Sequence, residues 1–204
     1  MSRNRDETRQ KILDAALALA GEAGFAALGV NAVARRAGAD KQLIYRYFGG
    51  LEELLEALGT DVAQRMARAL EPALQPPPAG YAELAERLAL ALYDQMCADP
   101  MYRQLRLMEA SAPSPATDAF RAARGKALQG WMLQARQGLI PPDDLDVPAL
   151  NALIIAAVEG AAILGPVGME RGSPAARARL LPVLQALIRA GYGARPGQGP
   201  YASS

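Results

Sequence analysis

Apolar residues recur along this chain at intervals of three and four, and nowhere in the alternation of a half-buried strand. Ile12, Leu13, Ala16, Leu19, Ala20 and Ala23 form one stripe. They predict a first helix capped by Asp6 and ended by Gly24. Val30, Val33, Ala34 and Ala37 predict a short second helix closed by Gly38. Asp40 is placed to cap a third helix over 41–48, which Gly49-Gly50 breaks, and a fourth runs from Leu51 towards Leu70. Pro76-Pro77-Pro78 with Gly80 is the clearest punctuation. A fifth helix follows over 81–98; Asp99-Pro100 opens a sixth, and Ser114-Pro115 a seventh reaching Gln137. After the loop Pro141-Pro142-Asp143-Asp144, an eighth helix covers 147–164. Ser173-Pro174 opens a ninth that ends near Ala190, with Pro182 expected to bend or shorten it. The expected fold is all-α with about nine helices. Residues 1–50 form an N-terminal domain and 51–193 a C-terminal one, and 194–204, rich in Gly, Pro and Ser, is expected to be a disordered tail.

Composition agrees and narrows the function. The chain has 204 residues, 51% of them hydrophobic and only 5% aromatic. Ala and Leu dominate, and both are strong helix formers. Histidine is absent, which removes the commonest general base and the usual zinc ligand together. With no metal-ligand or P-loop spacing either, the chain is expected to be no enzyme and to need no metal or cofactor. A single cysteine, Cys97, excludes an internal disulfide, and residues 1–10, polar and charged, lead us to expect no leader sequence. A cytoplasmic setting is expected. Net charge is +1, but residues 1–50 hold eight Lys and Arg against five Asp and Glu, while the remainder holds 14 against 16. A basic head on a mildly acidic body suits a protein that meets phosphate with one end.

Residues 30–48 read as helix, glycine turn, helix. Short helices separated by Gly38-Ala39-Asp40 cross steeply, as in a helix-turn-helix, and the second can enter a major groove. Ile44 and Phe48 face the core in this reading, which leaves Lys41, Gln42, Tyr45 and Arg46 outward. Lys reads guanine acceptors, Gln reads adenine bidentately, and Tyr45, Arg46 and Tyr47 donate to phosphate oxygens. An ordinary solvated face would carry the same residue types, and Arg35-Arg36 fit a solvated helix end as well as a phosphate grip.

The stretch Thr8 to Leu55 resembles the N-terminal DNA-binding domain of the TetR family of bacterial transcriptional regulators. The resemblance is carried, in order and without a gap, by Ile12-Leu13, Ala15-Ala16, Gly24-Phe25, Val30, Val33-Ala34, Ala37-Gly38, Ile44-Tyr45, Tyr47-Phe48 and Glu53-Leu54. It implies that Arg5 and Thr8 approach phosphates and that Asn31 reaches a base or the backbone. It implies base reading by Lys41, Gln42 and Leu43, and phosphate contacts from Tyr45 and Tyr47. The sequence departs from the family in three places: Ala20 replaces an aromatic, Gly29 a Ser or Thr, and Leu51 a lysine at the start of the fourth helix. The last predicts a shallower salt dependence, by about 1 in the log–log slope per lost phosphate contact.

The run 149–169 is nearly apolar, but Asn151, Glu159 and Gly165-Pro166 interrupt it and no aromatic belt flanks it. A buried helix of a soluble protein is expected, and no membrane partner. In the resembled family the last two long helices form a four-helix bundle with those of a second copy. That assigns Leu150, Leu153, Ile154, Ala157, Val158, Ala161, Leu184, Leu187 and Ile188 to a homodimer interface. A two-fold dimer sets two reading heads roughly 34–36 Å apart on a palindromic operator of double-stranded DNA. Tyr93, Met96, Tyr102, Leu105, Met108, Trp131 and Met132 are soft, adaptable residues that suit either core packing or a pocket for a largely apolar small-molecule effector. Glu109, Asn151 and Glu159 are the polar candidates beside them, Glu159 serving either the ligand or the dimer. The function expected is that of a repressor released from DNA by the effector. The alternative is a helical ligand-binding or scaffold protein without sequence-specific DNA binding.

Overall fold

The computed structural model of the chain describes residues 2–166 and 168–193. The expected tail, 194–204, lies outside the described residues. Among those described, all regular structure is helical: α1 Ser2–Ala23, α2 Val30–Ala37, α3 Lys41–Phe48, α4 Leu51–Leu70, α5 Tyr81–Ala98, α6 Pro100–Ser111, α7 Pro115–Ala135, α8 Val147–Leu164 and α9 Pro174–Tyr192. Short 3-10 turns, Phe25–Ala27 and Glu71–Leu74, follow α1 and α4. Two compact units emerge. One holds the described residues up to Arg68 together with Pro100–Met132; the other holds Ala69–Asp99 and the described chain from Leu133 onward. The chain therefore passes from one unit to the other three times, and the first unit extends well past residue 50.

In the first unit Ile12, Leu13, Phe25, Val33, Ile44, Leu54 and Leu58 are all buried to 1% exposure or less. α1 packs against α2 and α6. Its small residues let α6 come close: the Met101 sulfur lies 2.5 Å from where a Cβ on Gly21 would stand, and the Met108 sulfur lies against Gly24. The Phe25 ring rests on Phe120 of α7, centroids 4.9 Å apart. α1 begins at Ser2, so Asp6 sits inside the helix and is not its cap. Nothing in the segment stops the helix there, and Thr8 Oγ1 donates to the Asn4 carbonyl at 2.8 Å. α1 is also tied to α4. Gln10 donates to Asp61 at 3.3 Å, and Arg65 bridges Asp61, at 2.7 Å, and Asp14.

In the second unit α5 packs on both α8 and α9. Glu86 accepts from Arg189 at 2.6 and 2.9 Å and from Gln185 at 2.6 Å, and Arg177 grips Asp94 through two bonds of 2.8 Å. These links strap α9 to α5 at two heights. Where α8 begins and α9 ends, Tyr192 donates to Asn151 Oδ1 at 2.6 Å, and the Tyr81 and Tyr192 rings lie 5.3 Å apart. Pro182 lies within α9 and does not end it. Pro182 and Ala178, the residue four positions earlier, are both exposed, so the carbonyl that loses its helical partner is on the solvent side.

α8 departs from the expectation of a buried helix. It is long and apolar enough to cross a membrane by length and composition, yet only 17% of it is buried within the chain. Val158 and Ala162 turn inward, while Leu153 is 69% and Leu164 82% exposed; on α9, Val183 and Leu187 are exposed as well. A period that marks a helix does not say what covers it, and the single chain leaves this broad apolar face uncovered.

Candidate nucleic-acid interface

The turn between α2 and α3 is built as its sequence dictates. Gly38 closes α2 at φ 58°, ψ 40°, the left-handed conformation that glycine adopts without strain. Asp40 caps α3 by accepting from the Gln42 amide at 2.8 Å. The Lys11 ammonium comes within 3.8 Å of the point where a Gly38 Cβ would sit, at the C-terminal end of α2, where a cation is favoured.

That cap fixes the register of α3. Ile44 is fully buried, whereas Lys41, Gln42, Tyr45 and Arg46 are exposed, Tyr45 by 55%. Asn31 on α2 is exposed too; Leu43, Tyr47 and Phe48 are half-buried. Lys41, Gln42, Tyr45 and Arg46 therefore form one outward face carrying a cation, an amide, a phenol and a guanidinium. Arg36 does not join it, because Glu22 holds it at 2.5 and 3.0 Å. Two contacts on this side are absent from the sequence reading. The Arg5 guanidinium carbon lies 5.8 Å from the centre of the Tyr47 ring, and that of Arg9 lies 5.1 Å from the centre of Phe48. The signal for them was two arginines one turn apart on α1, but their partners lie some forty residues downstream.

The start of α4 is acidic. Leu51 is half-buried, Glu52 and Glu53 occupy the first turn, and the Glu53 side chain folds back over Gly49 and Gly50. A Cβ on Gly50 would meet its carboxylate at 3.0 Å.

The residues assigned to an effector pocket are divided by the fold. Tyr102, Leu105, Met108, Glu109, Trp131 and Met132 belong to the first unit; Tyr93, Met96 and Glu159 belong to the second. Tyr102, Leu105, Tyr93 and Met96 are buried, and Met108, Trp131, Met132 and Glu159 are half-buried. Glu109 is 1% exposed and fully engaged: it accepts from Arg124 at 2.5 Å, from Arg121 at 3.2 Å and from Arg106. Burial opposes its charge, but Arg124 and Arg106 outweigh that and hold the carboxyl below its ordinary range. Asn151 is likewise committed to Tyr192. The Tyr93 hydroxyl is the opposite case, buried without a hydrogen-bonding partner and with the Cys97 thiol beside it. Burial first, then Cys97, push this phenol up to about 12, so it stays protonated. Of the residues assigned to dimerisation, Leu153, Ala157 and Leu187 are exposed; Leu150, Ile154, Ala161 and Leu184 are half-buried. Val158 and Ile188 are buried within the chain and can only support such a surface from beneath.

Comparison with known proteins converges on the same segment. Residues 12–58 match the family model of bacterial regulatory proteins, tetR family. No curated protein matches the sequence. Among solved structures, a TetR family transcription regulator from Marinobacter aquaeolei VT8 is 21% identical, covering 96% of this chain and 100% of its own at a TM-score of 0.62. The fatty acid degradation regulator FadR from Bacillus halodurans is 18% identical, with 92% and 97% covered and a TM-score of 0.61. FadR from Bacillus subtilis, solved in complex with stearoyl-CoA, is 19% identical, with 89% and 98% covered and a TM-score of 0.60. The all-helical fold is thus that of TetR-like regulators along nearly the whole chain.

Proposed function

We infer that this chain, whose residues 12–58 match the family model of bacterial regulatory proteins, tetR family, is a transcriptional repressor that binds a palindromic operator as a homodimer and releases it when a small molecule binds. The observation that carries this reading is the outward face of α3. Asp40 and Ile44 hold the helix in one register, and that register turns Lys41 and Gln42 outward in its first turn, the part of a recognition helix that meets base edges. Tyr45 and Arg46 follow within reach of phosphates.

Two further features support the finer parts. The uncovered apolar face of α8 and α9 calls for a partner, and its small residues Ala149, Ala156 and Gly160 admit a close helix. A second copy of the same pair satisfies it by two-fold symmetry. A bilayer suits it poorly, since α8 carries Asn151 and Glu159 and turns its other side to α5 and α9. The buried Tyr93 hydroxyl has no hydrogen-bonding partner and offers a donor, which fits an effector that brings an acceptor on an apolar body. The FadR neighbour from Bacillus subtilis was solved in complex with stearoyl-CoA, whose stearoyl chain is apolar. Release requires that the effector bind the DNA-incompetent state more tightly, because equal affinity shifts nothing.

The test is a selection from random duplexes with the full chain, followed by binding titrations on the enriched site. We expect a palindrome, bound selectively, with Gln42→Ala relaxing the preference by about 1–3 kcal/mol at one base pair of each half-site. Failure to enrich any duplex would leave the helical scaffold reading in its place.

A further inference from the structure

Several arginines of the first unit are held by carboxylates: Arg36 by Glu22, Arg65 by Asp14 and Asp61, and Arg124 by Glu109. Arg5 and Arg9 differ. Both are exposed, they stand one turn apart on α1, and among the described residues neither has an ion-pair or hydrogen-bond partner. Each instead lies over a ring at the C-terminal end of α3, Arg5 over Tyr47 and Arg9 over Phe48. A cation drawn to the face of a ring needs no hydrogen-bond partner there, so the contact favours one place for the guanidinium and leaves its N–H donors unused.

The electrostatics on the other flank of α3 point the same way. A helix N-terminus draws phosphate through its unpaired amides, but at α4 that end is occupied by Glu52 and by Glu53, folded back over Gly49 and Gly50. A phosphate arriving there meets carboxylate. Beyond the cations of α3 itself, the α1 side rather than the α4 side offers charge to the backbone of a duplex seated on α3.

We propose that Arg9, with Arg5, forms a cationic rail that grips adjacent phosphates of one DNA strand, and that the rings of Phe48 and Tyr47 hold it in place. The inference rests on the DNA-binding reading above. It adds a binding residue, Arg9, and assigns Phe48 a second task beside packing. Because the rings belong to α3, the grip and the reading helix move as one body, and the side chains lose little freedom on binding.

The experiment measures affinity of the full chain for its selected duplex across a potassium chloride series. Wild type is compared with Arg9→Gln, Arg5→Gln, the double variant and Arg9→Lys. The substitutions lie on an exposed face, and unchanged melting temperatures confirm intact folding. Each Gln variant is expected to bind about tenfold more weakly at moderate salt and to lower the log–log slope by about 1, the double variant by about 2, with the preferred sequence unchanged. Arg9→Lys is expected to keep the slope, since its charge remains, yet to bind more weakly because an ammonium on a flexible stem is not held by the ring. An unchanged slope in Arg9→Gln would overturn the rail, and so would an altered sequence preference, which would make Arg9 a base reader. If the wild type selects no duplex at all, the DNA-binding reading itself falls.

Discussion

Gly59 of α4 lies directly against the backbone of Phe120 in α7: a Cβ on Gly59 would come within 2.4 Å of the Phe120 carbonyl oxygen and 3.0 Å of the Arg124 amide nitrogen. The obstacle is backbone, which cannot rotate aside. Glycine inside a helix costs about 1 kcal/mol against alanine, so α4 gives up helix propensity to let α7 approach. Gly59→Ala is expected to destabilise the chain by about 1–3 kcal/mol despite the better helix former. Gly125 and Gly130 of α7 serve as controls, since no neighbouring atom lies within 4 Å of their Cβ positions. Alanine there should stabilise by about 0.5–1 kcal/mol. Urea denaturation of the three variants distinguishes the cases, and equal gains at all three would refute the close approach.

Glu109 predicts how stability depends on pH. Its carboxyl is held below its ordinary value in the folded chain, where Arg124 and Arg106 prevail over burial. The unfolded chain binds that proton more readily, near the usual glutamate value of about 4.3. The stabilisation is therefore fully present above that value and is lost as pH falls through the folded one. Glu109→Gln should cost about 3–5 kcal/mol at neutral pH, because the guanidiniums around it lose their charge partner. The gap from wild type should narrow in acid. Denaturation curves from about pH 7 down to about pH 3 measure this, and a constant gap would show that the carboxylate charge is not what holds α6 to α7.

The local grammar of α2 and α3 was fully readable in the sequence, because Gly38, Asp40 and Gly49 act on their own immediate backbone. What the sequence hid depends on partners far along the chain. Periodicity marked Met108 and Glu109 as soft and polar residues of the middle helices. It did not reveal that the Met108 sulfur meets Gly24, or that Glu109 is shared among three arginines. The ring contacts of Arg5 and Arg9 were hidden for the same reason. α8 shows a different limit: its residues were identified as apolar and helical, but whether an apolar stripe is covered by its own chain or by another is not written in its period.

Asn151 tests whether a polar residue near the expected effector region is structural. Tyr192 is almost completely buried and donates to Asn151 at 2.6 Å, so Asn151→Leu leaves a buried hydroxyl without its acceptor. A loss of about 1–3 kcal/mol is expected. Tyr192→Phe should rescue part of it, giving a coupling of about 0.5–3 kcal/mol in a double-mutant cycle. Thermal or urea unfolding without any ligand suffices. Strict additivity of the two substitutions would mean that Asn151 is not committed to Tyr192 and is available to a ligand.

The uncovered face of α8 and α9 decides how the heads are paired. Leu153 and Leu187 are 69% and 63% exposed in the single chain, whereas a leucine at a dimer seam should be dry. Leu153→Glu and Leu187→Glu place like charges on both sides of a two-fold interface, where neither finds a partner. Both variants are expected to sediment as monomers while keeping their helical content. Affinity for a palindromic duplex should then fall by about 10²–10⁴, because the second head no longer binds as a tethered partner of the first. Affinity for a single half-site should not change, since α3 is untouched. Ile140 is 80% exposed in the loop between α7 and α8 and provides the contrast. Ile140→Glu should remain dimeric and bind the palindrome normally. Dimers in all three variants, measured by sedimentation equilibrium, would mean that something other than a second copy covers α8 and α9.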